Sequence, residues 1–244
     1  MFITGIGDEA GDSIESQIEA LKALGWNVVE LRKVGTQNIH DLPEREFEIV
    51  LEKLSDANIS VVCFSSTVAN WACDRVRTLV ERCADNGISY LHENCMNFGG
   101  MSWEHTLRLA DSVASENFSL LFDTGNPVFS WDFRGQAPYV KQDSWEFYEN
   151  VRHLVTYVHI KDCIYLEESE GLFPKARYTL PGDGHGHVRR IINDLKIRKF
   201  DGGVSIEPHI STVLHEDTGK RKGDFESFVT YGKRLEAVIR DSDP

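Results

Sequence analysis

Short β-branched or aromatic runs alternate with longer runs of helical spacing along almost the whole chain, and this alternation restricts the fold more than any other feature. The strand-like runs are Phe2 to Ile6, Asn27 to Leu31, Ile59 to Ser65, Ile88 to Glu93, Phe118 to Asp123, Val155 to Lys161 and Gly203 to Glu207. Between them lie helical spacings such as Ile14-Ile18-Leu21-Leu24 and Phe47-Val50-Leu51-Leu54. Capping-box spacing at Asp12/Glu15, Asp41/Glu44 and Asp143/Glu146 predicts helix starts, and Gly25 and Gly87 predict helix ends. Repeated strand–helix alternation demands a parallel sheet with right-handed crossovers. No Gly-rich dinucleotide fingerprint follows the first strand, which favours a TIM-type (β/α) barrel over an open nucleotide-binding sheet. No linker or low-complexity tract interrupts the pattern, so residues 1–244 read as one domain. Cys163 to His187 is the one long irregular stretch, with Pro174, Pro181 and several glycines.

Composition narrows the function classes. A formal net charge of −13 argues against a nucleic-acid partner, which would need a basic face. The N-terminus lacks the basic and apolar regions of a signal peptide, and no apolar run approaches bilayer-spanning length. A cytoplasmic protein without a membrane partner is therefore expected. Cys63, Cys73, Cys83, Cys95 and Cys163 form no C-x-x-C pair, so free thiols are expected instead of a disulfide framework or zinc ribbon.

Four consecutive strands end in residues that hold hard metal ions. Their ends are Leu91-His92-Glu93-Asn94, Phe122-Asp123-Thr124-Gly125-Asn126, Val158-His159-Ile160-Lys161-Asp162 and Ser205-Ile206-Glu207-Pro208-His209. Strand C-termini project into the mouth of a barrel, where active sites form. Singly, each residue has an ordinary reading as a helix cap or a hydrogen-bonded structural side chain. Together, three carboxylates at one end of neighbouring strands would repel one another unless a cation neutralised them. Three carboxylates and one imidazole suit one divalent ion: manganese, magnesium or cobalt, with zinc the less favoured choice. Lys161 is placed to neutralise a substrate oxyanion, Asp162 to hold the imidazole from behind, and His209 to face the pocket. His185 and His187 sit in a Gly-rich turn and read as turn and cap residues.

These strand ends resemble the last four of the xylose-isomerase-like sugar isomerases and epimerases, a TIM-barrel superfamily. The resemblance implies a metal held, in this order, by Glu93, Asp123, His159 and Glu207. By position it further implies that Glu93 and Glu207 form the acid–base pair of an isomerase or epimerase. The substrate would be a small keto sugar or related polyol, with proton transfer through a metal-stabilised enediolate. Glu30 and Arg32, at the end of the second strand, resemble the superfamily's substrate-side positions; a buried ion pair is the equal alternative. Where many relatives carry a His after the aspartate-bearing strand, this chain has Asn126, which can bind a hydroxyl but cannot act as an acid or base. The residues that ketohexose epimerases place after the first Glu and after the His have no counterpart at Gly99 and Tyr165, so no particular sugar is named.

The larger departure is length. After Trp71 the chain runs directly into the helix of Arg75 to Asn86, so one helix–strand unit is missing and seven strands are expected. Such a barrel closes with seven strands, stays open, or recruits a partner, a second copy included. The missing wall also motivates an alternative, a catalytically impaired or non-catalytic sugar- or metal-binding barrel. A metal-dependent apurinic-endonuclease-like phosphodiesterase is the weaker alternative, opposed by the acidic charge.

Overall fold

A computed structural model of the chain describes residues 1–66, 73–95, 98–166, 174–210 and 224–242. Among the described residues seven parallel strands form the wall: β1 (Phe2–Gly5), β2 (Val28–Leu31), β3 (Ser60–Phe64), β4 (Tyr90–Glu93), β5 (Phe118–Asp123), β6 (Val155–Ile160) and β7 (Gly203–Ile206). The helices between and after them are α1 (Ile14–Leu24), α2 (Glu44–Asp56), α3 (Cys73–Asp85), α4 (Trp103–Val113), α5 (Ser144–Val151), α6 (Val188–Ile197) and α7 (Asp224–Asp241). This is the α/β barrel architecture that the alternation predicts.

Strands β1, β7, β6, β5 and β4 form one five-stranded parallel sheet in that order, and β2 pairs with β3. The two parts meet through a parallel bridge between Ile6 and Glu30 and a hydrogen bond from Thr4 Oγ1 to the Val28 carbonyl, 2.9 Å. The resulting order is β3-β2-β1-β7-β6-β5-β4. Among the described residues no ladder joins β3 to β4, the two ends of this order. Among the described residues, α3 is the element between β3 and β4; residues 67–72 of that connection lie outside them.

The main core lies between the sheet and its helices. Val29, Leu120, Phe122, Val158, Ile160, Val204 and Ile206 are buried against Leu21, Ile191, Leu195, Phe228 and Leu235. At about 25 cal/mol per Å² of apolar surface buried, this layer is the principal source of stability. Gly5 has no space for a side chain, since a Cβ there would lie 2.5 Å from the Phe228 ring. On the gap side, Val76 and Val80 of α3 pack with Leu109, Val113 and Phe118 as a separate small cluster.

Two of the expected caps fall elsewhere. Ser13, not Asp12, caps α1 by accepting from the Ser16 amide, and α2 begins after Pro43 with no side-chain cap from Asp41. Asp143 does cap α5, accepting from the Glu146 amide at 2.8 Å, and Gly25 ends α1 in the left-handed conformation. Cys63, Cys83, Cys95 and Cys163 are free thiols. No helix among the described residues is long and apolar enough to cross a membrane.

The open edge leaves apolar side chains in water: Val62 is 39% exposed, Phe64 53% and Ile88 59%. An unpaired strand edge with apolar neighbours favours association. The expected outcome is a sedimentation coefficient that rises with protein concentration and falls back in a Val62→Lys/Phe64→Lys variant. A monomer at every concentration would leave the edge without a role in assembly.

Candidate metal centre

Register sets the site. His159 on β6 lies opposite Asp123 on β5, and both stand at the C-terminal ends of their strands. Glu93 ends β4, and Glu207 follows β7, its amide bonded to the Ile160 carbonyl at 3.1 Å. One ligand-type atom from each of Glu93, Asp123, His159 and Glu207 comes within 4.8 Å of every other. The sequence-derived set is therefore brought together as a group.

Each side chain is held from behind. Asp123 Oδ1 accepts the amides of Gly125 and Asn126 at 2.8 and 2.7 Å, while Asn94 clamps the Asp123 backbone through its Oδ1 and Nδ2. His159 Nε2 lies 3.1 Å from both oxygens of Glu30, so Nδ1 faces Glu93 and Glu207 at 3.7 and 3.5 Å. Burial disfavours charge on His159, but Glu30, Glu207 and Glu93 outweigh it and hold its pKa well above the usual imidazole value. Asn126 donates to Glu93 Oε1 at 3.0 Å and accepts from Lys161 Nζ at 3.2 Å.

Within the four-residue group, three buried atoms have no aligned hydrogen bond: Asp123 Oδ2, His159 Nδ1 and Glu207 Oε2. Lys161 Nζ stands 2.7 Å from Glu207 Oε2 and 3.3 Å from Asp123 Oδ2, close enough for charge contact but not aligned as a hydrogen bond. Burying polar atoms without such bonds is costly. Their convergence therefore fits a cation bound by oxygen and one imidazole nitrogen. Burial first, then Glu207 and Glu93, push Asp123 up to about 6 against the lowering effect of Lys161. Burial opposes charge on Glu207 too, but Lys161 and His159 dominate and hold it well below the ordinary carboxylate range.

The remaining sequence candidates divide. Asn126 and Lys161 are in the site. Glu30, read as a substrate-side residue, is instead fully buried beneath His159 and bonded also by Ser65 and Tyr157. Asp162, read as the partner of the imidazole, instead accepts the amides of Cys163, Gly182, Gly184 and Gly186 at 2.8 to 3.0 Å. It organises the Gly-rich turn, where a Cβ on Gly184 would lie 2.3 Å from its carboxylate. Arg32 is turned toward protein carboxylates: Asp8 at 2.8 Å, Glu9 at 2.7 Å and Glu207 Oε1 at 3.0 Å. His209 lies on that same side of Glu207, 3.2 Å from Glu9.

Glu9, Glu207 and His209 form a second group with metal-type atoms close together, but the Arg32 guanidinium already occupies its carboxylates. Burial raises the Glu9 pKa, and His209 and Arg32 more than offset that, bringing it down to about 2. Asp8, Glu9, Asn94, Thr124, Ser65 and Tyr157 are site-supporting residues to which the sequence analysis assigns no role. Asp8 and Glu9 follow β1 and had the same signal as the four ligands, a carboxylate just beyond a strand end.

A sequence profile described as xylose isomerase-like TIM barrel matches residues 67–224, well over half of the chain. No curated protein matches by sequence. Solved structures of the same fold include a xylose isomerase-like TIM barrel protein from Mycobacterium smegmatis in complex with magnesium, with 14% identity and a TM-score of 0.65 over 98% of this chain and 97% of that one. The probable 3-DHS dehydratase of petrobactin synthesis from Bacillus anthracis gives 14% identity and a TM-score of 0.65 over 97% and 99%. The D-allulose 3-epimerase from Methylomonas sp. in complex with D-allulose gives 15% and 0.62 over 98% and 96%.

The Asp162 cradle yields a stability expectation. Asp162→Asn presents an amide NH₂ to backbone donors and should cost about 2 kcal/mol in urea unfolding, as for a buried charged acceptor lost. An unchanged midpoint would show that the Gly-rich turn holds without the carboxylate.

Proposed function

This chain belongs to the xylose isomerase-like TIM barrel family, and on that footing we propose that it is a divalent-metal-dependent isomerase or epimerase of a small keto sugar or related polyol. The observation that carries the proposal is the convergence of buried ligand-type atoms from Asp123, His159 and Glu207, none with an aligned hydrogen bond, beside Glu93. In this reading Glu93, Asp123, His159 and Glu207 hold one ion, with manganese, magnesium or cobalt preferred for an oxygen-rich set. The magnesium complex and the D-allulose epimerase on the same fold support metal and carbohydrate as the ligand classes. The dehydratase on that fold is a reminder that the fold does not fix the reaction. A cytoplasmic location and the absence of nucleic-acid and membrane partners complete the proposal.

A bound ion would polarise the substrate's carbonyl and hydroxyl oxygens, easing proton loss at the adjacent carbon. The chain's own groups supply the rest. Glu93, with its side chain 32% exposed, is the more open carboxylate and moves a proton on its side of the substrate. Glu207, its Oε1 tethered by Arg32, is the fixed carboxylate on the other. Asn126 orients Glu93 and offers polar atoms to a hydroxyl. Lys161 provides positive charge where a substrate oxygen becomes negative. Glu30 fixes the tautomer and angle of His159.

The lack of a ladder between β3 and β4 among the described residues favours one second reading, a barrel that binds metal and sugar without turnover. Two measurements separate them. Metal analysis should give one divalent ion per chain, lost in Asp123→Asn and His159→Ala and bound about 10- to 100-fold more weakly in Glu30→Gln; full occupancy in Asp123→Asn and His159→Ala would refute the ligand set. Incubation with a panel of keto sugars in D₂O should place deuterium next to the carbonyl, with Glu207→Gln slower by at least ~100-fold. Turnover without deuterium uptake would indicate a hydride shift, and metal binding without turnover would establish the second reading.

A further inference from the structure

Lys161 has a second consequence, independent of substrate. It follows His159 by two residues, and strand alternation carries residues i and i+2 to the same face. Its ammonium therefore enters the cluster and contacts Glu207 Oε2 at 2.7 Å, Asp123 Oδ2 at 3.3 Å and Asn126 Oδ1 at 3.2 Å. The first two oxygens belong to residues of the candidate metal group, and neither has an aligned hydrogen bond.

The side chain is confined. Thr124 Oγ1 donates to the Lys161 carbonyl at 2.8 Å and accepts its amide at 3.2 Å. The stem packs over Gly125, where a Cβ would lie 2.9 Å from Lys161 Cγ. The side chain is 5% exposed, so water contributes little to solvating the ammonium. Burial works against its charge, and Asp123, Glu207 and Glu93 more than compensate.

We propose that Lys161 is an intramolecular counter-cation of the metal centre, sharing Asp123 and Glu207 with the ion, balancing them in its absence and weakening its binding. The proposal rests on the metal reading above. Two cations drawing on the same oxygens repel, and the repulsion is stronger in a buried site than in water. Without the ammonium, the buried carboxylates would lack their nearest compensating charge. The metal-free protein would be less stable and its affinity for a divalent ion higher. With both cations in place, the ammonium remains beside the site as a partner for an anionic substrate oxygen.

The test is Mn²⁺ titration by calorimetry of the chelator-stripped full-length chain, together with thermal melts. Lys161→Met and the more conservative Lys161→Gln should each bind Mn²⁺ at least about 10-fold more tightly than the unsubstituted protein. Their metal-free forms should melt lower and gain more on Mn²⁺ addition. Lys161→Arg, which keeps the charge, should retain weaker binding than either. Affinity in Met and Gln variants equal to or below that of the unsubstituted protein would overturn the counter-cation role while leaving the metal centre intact. Absence of Mn²⁺ binding in every form would overturn both readings, whereas binding only in the neutral variants would support the counter-cation role outright.

Discussion

The structure depends on how the buried mouth of this barrel compensates the charge of Glu93, Asp123 and Glu207. Three carboxylates in one low-dielectric cluster cannot all remain ionised without cations around them. The chain supplies three. Arg32 takes the outer oxygen of Glu207, Lys161 reaches its inner oxygen and Asp123, and His159 presents Nδ1 between Glu93 and Glu207. A divalent ion would enter an arrangement that is already electrostatically prepared. Metal affinity, ligand geometry and substrate charge preference are therefore coupled through the same few oxygens.

The unpaired edge of β4 does not disturb this arrangement, because Glu93, Asp123, His159 and Glu207 all lie on the continuous β4-β5-β6-β7 portion of the wall. The open edge is nevertheless connected to it. Ser65, just beyond edge strand β3, donates to Glu30, and Glu30 holds His159. Glu30 also accepts from Tyr157, so the imidazole is set by residues from strands on both sides of the barrel interior. Changes at the edge can thus reach the metal centre through one buried carboxylate.

Much of this was legible in the sequence. The parallel strand–helix alternation follows from counting segments, and the four ligand-type residues stand out because each closes a strand. The supporting contacts were not legible. Glu30 and His159 are 129 residues apart and meet only because the wall curves. Asp162 adjoins the ligand strand but its neighbours in space are the amides of the Gly-rich turn, which no periodicity reveals. Asp12 and Asp41 satisfied a capping pattern that Ser13 and the Pro43 turn displaced by one or more residues, since local patterns fix helix ends only loosely. Asp8 and Glu9 carried the strand-end signal, but their role depends on Arg32 arriving from β2.

The central claim concerns one ion among four side chains, and anomalous diffraction at the manganese edge from crystals grown with Mn²⁺ tests it most directly. The account predicts one strong peak per chain, within coordination distance of Glu93, Asp123, His159 Nδ1 and Glu207. No peak there, or a peak confined to the Glu9, Glu207 and His209 side that Arg32 already occupies, would contradict it.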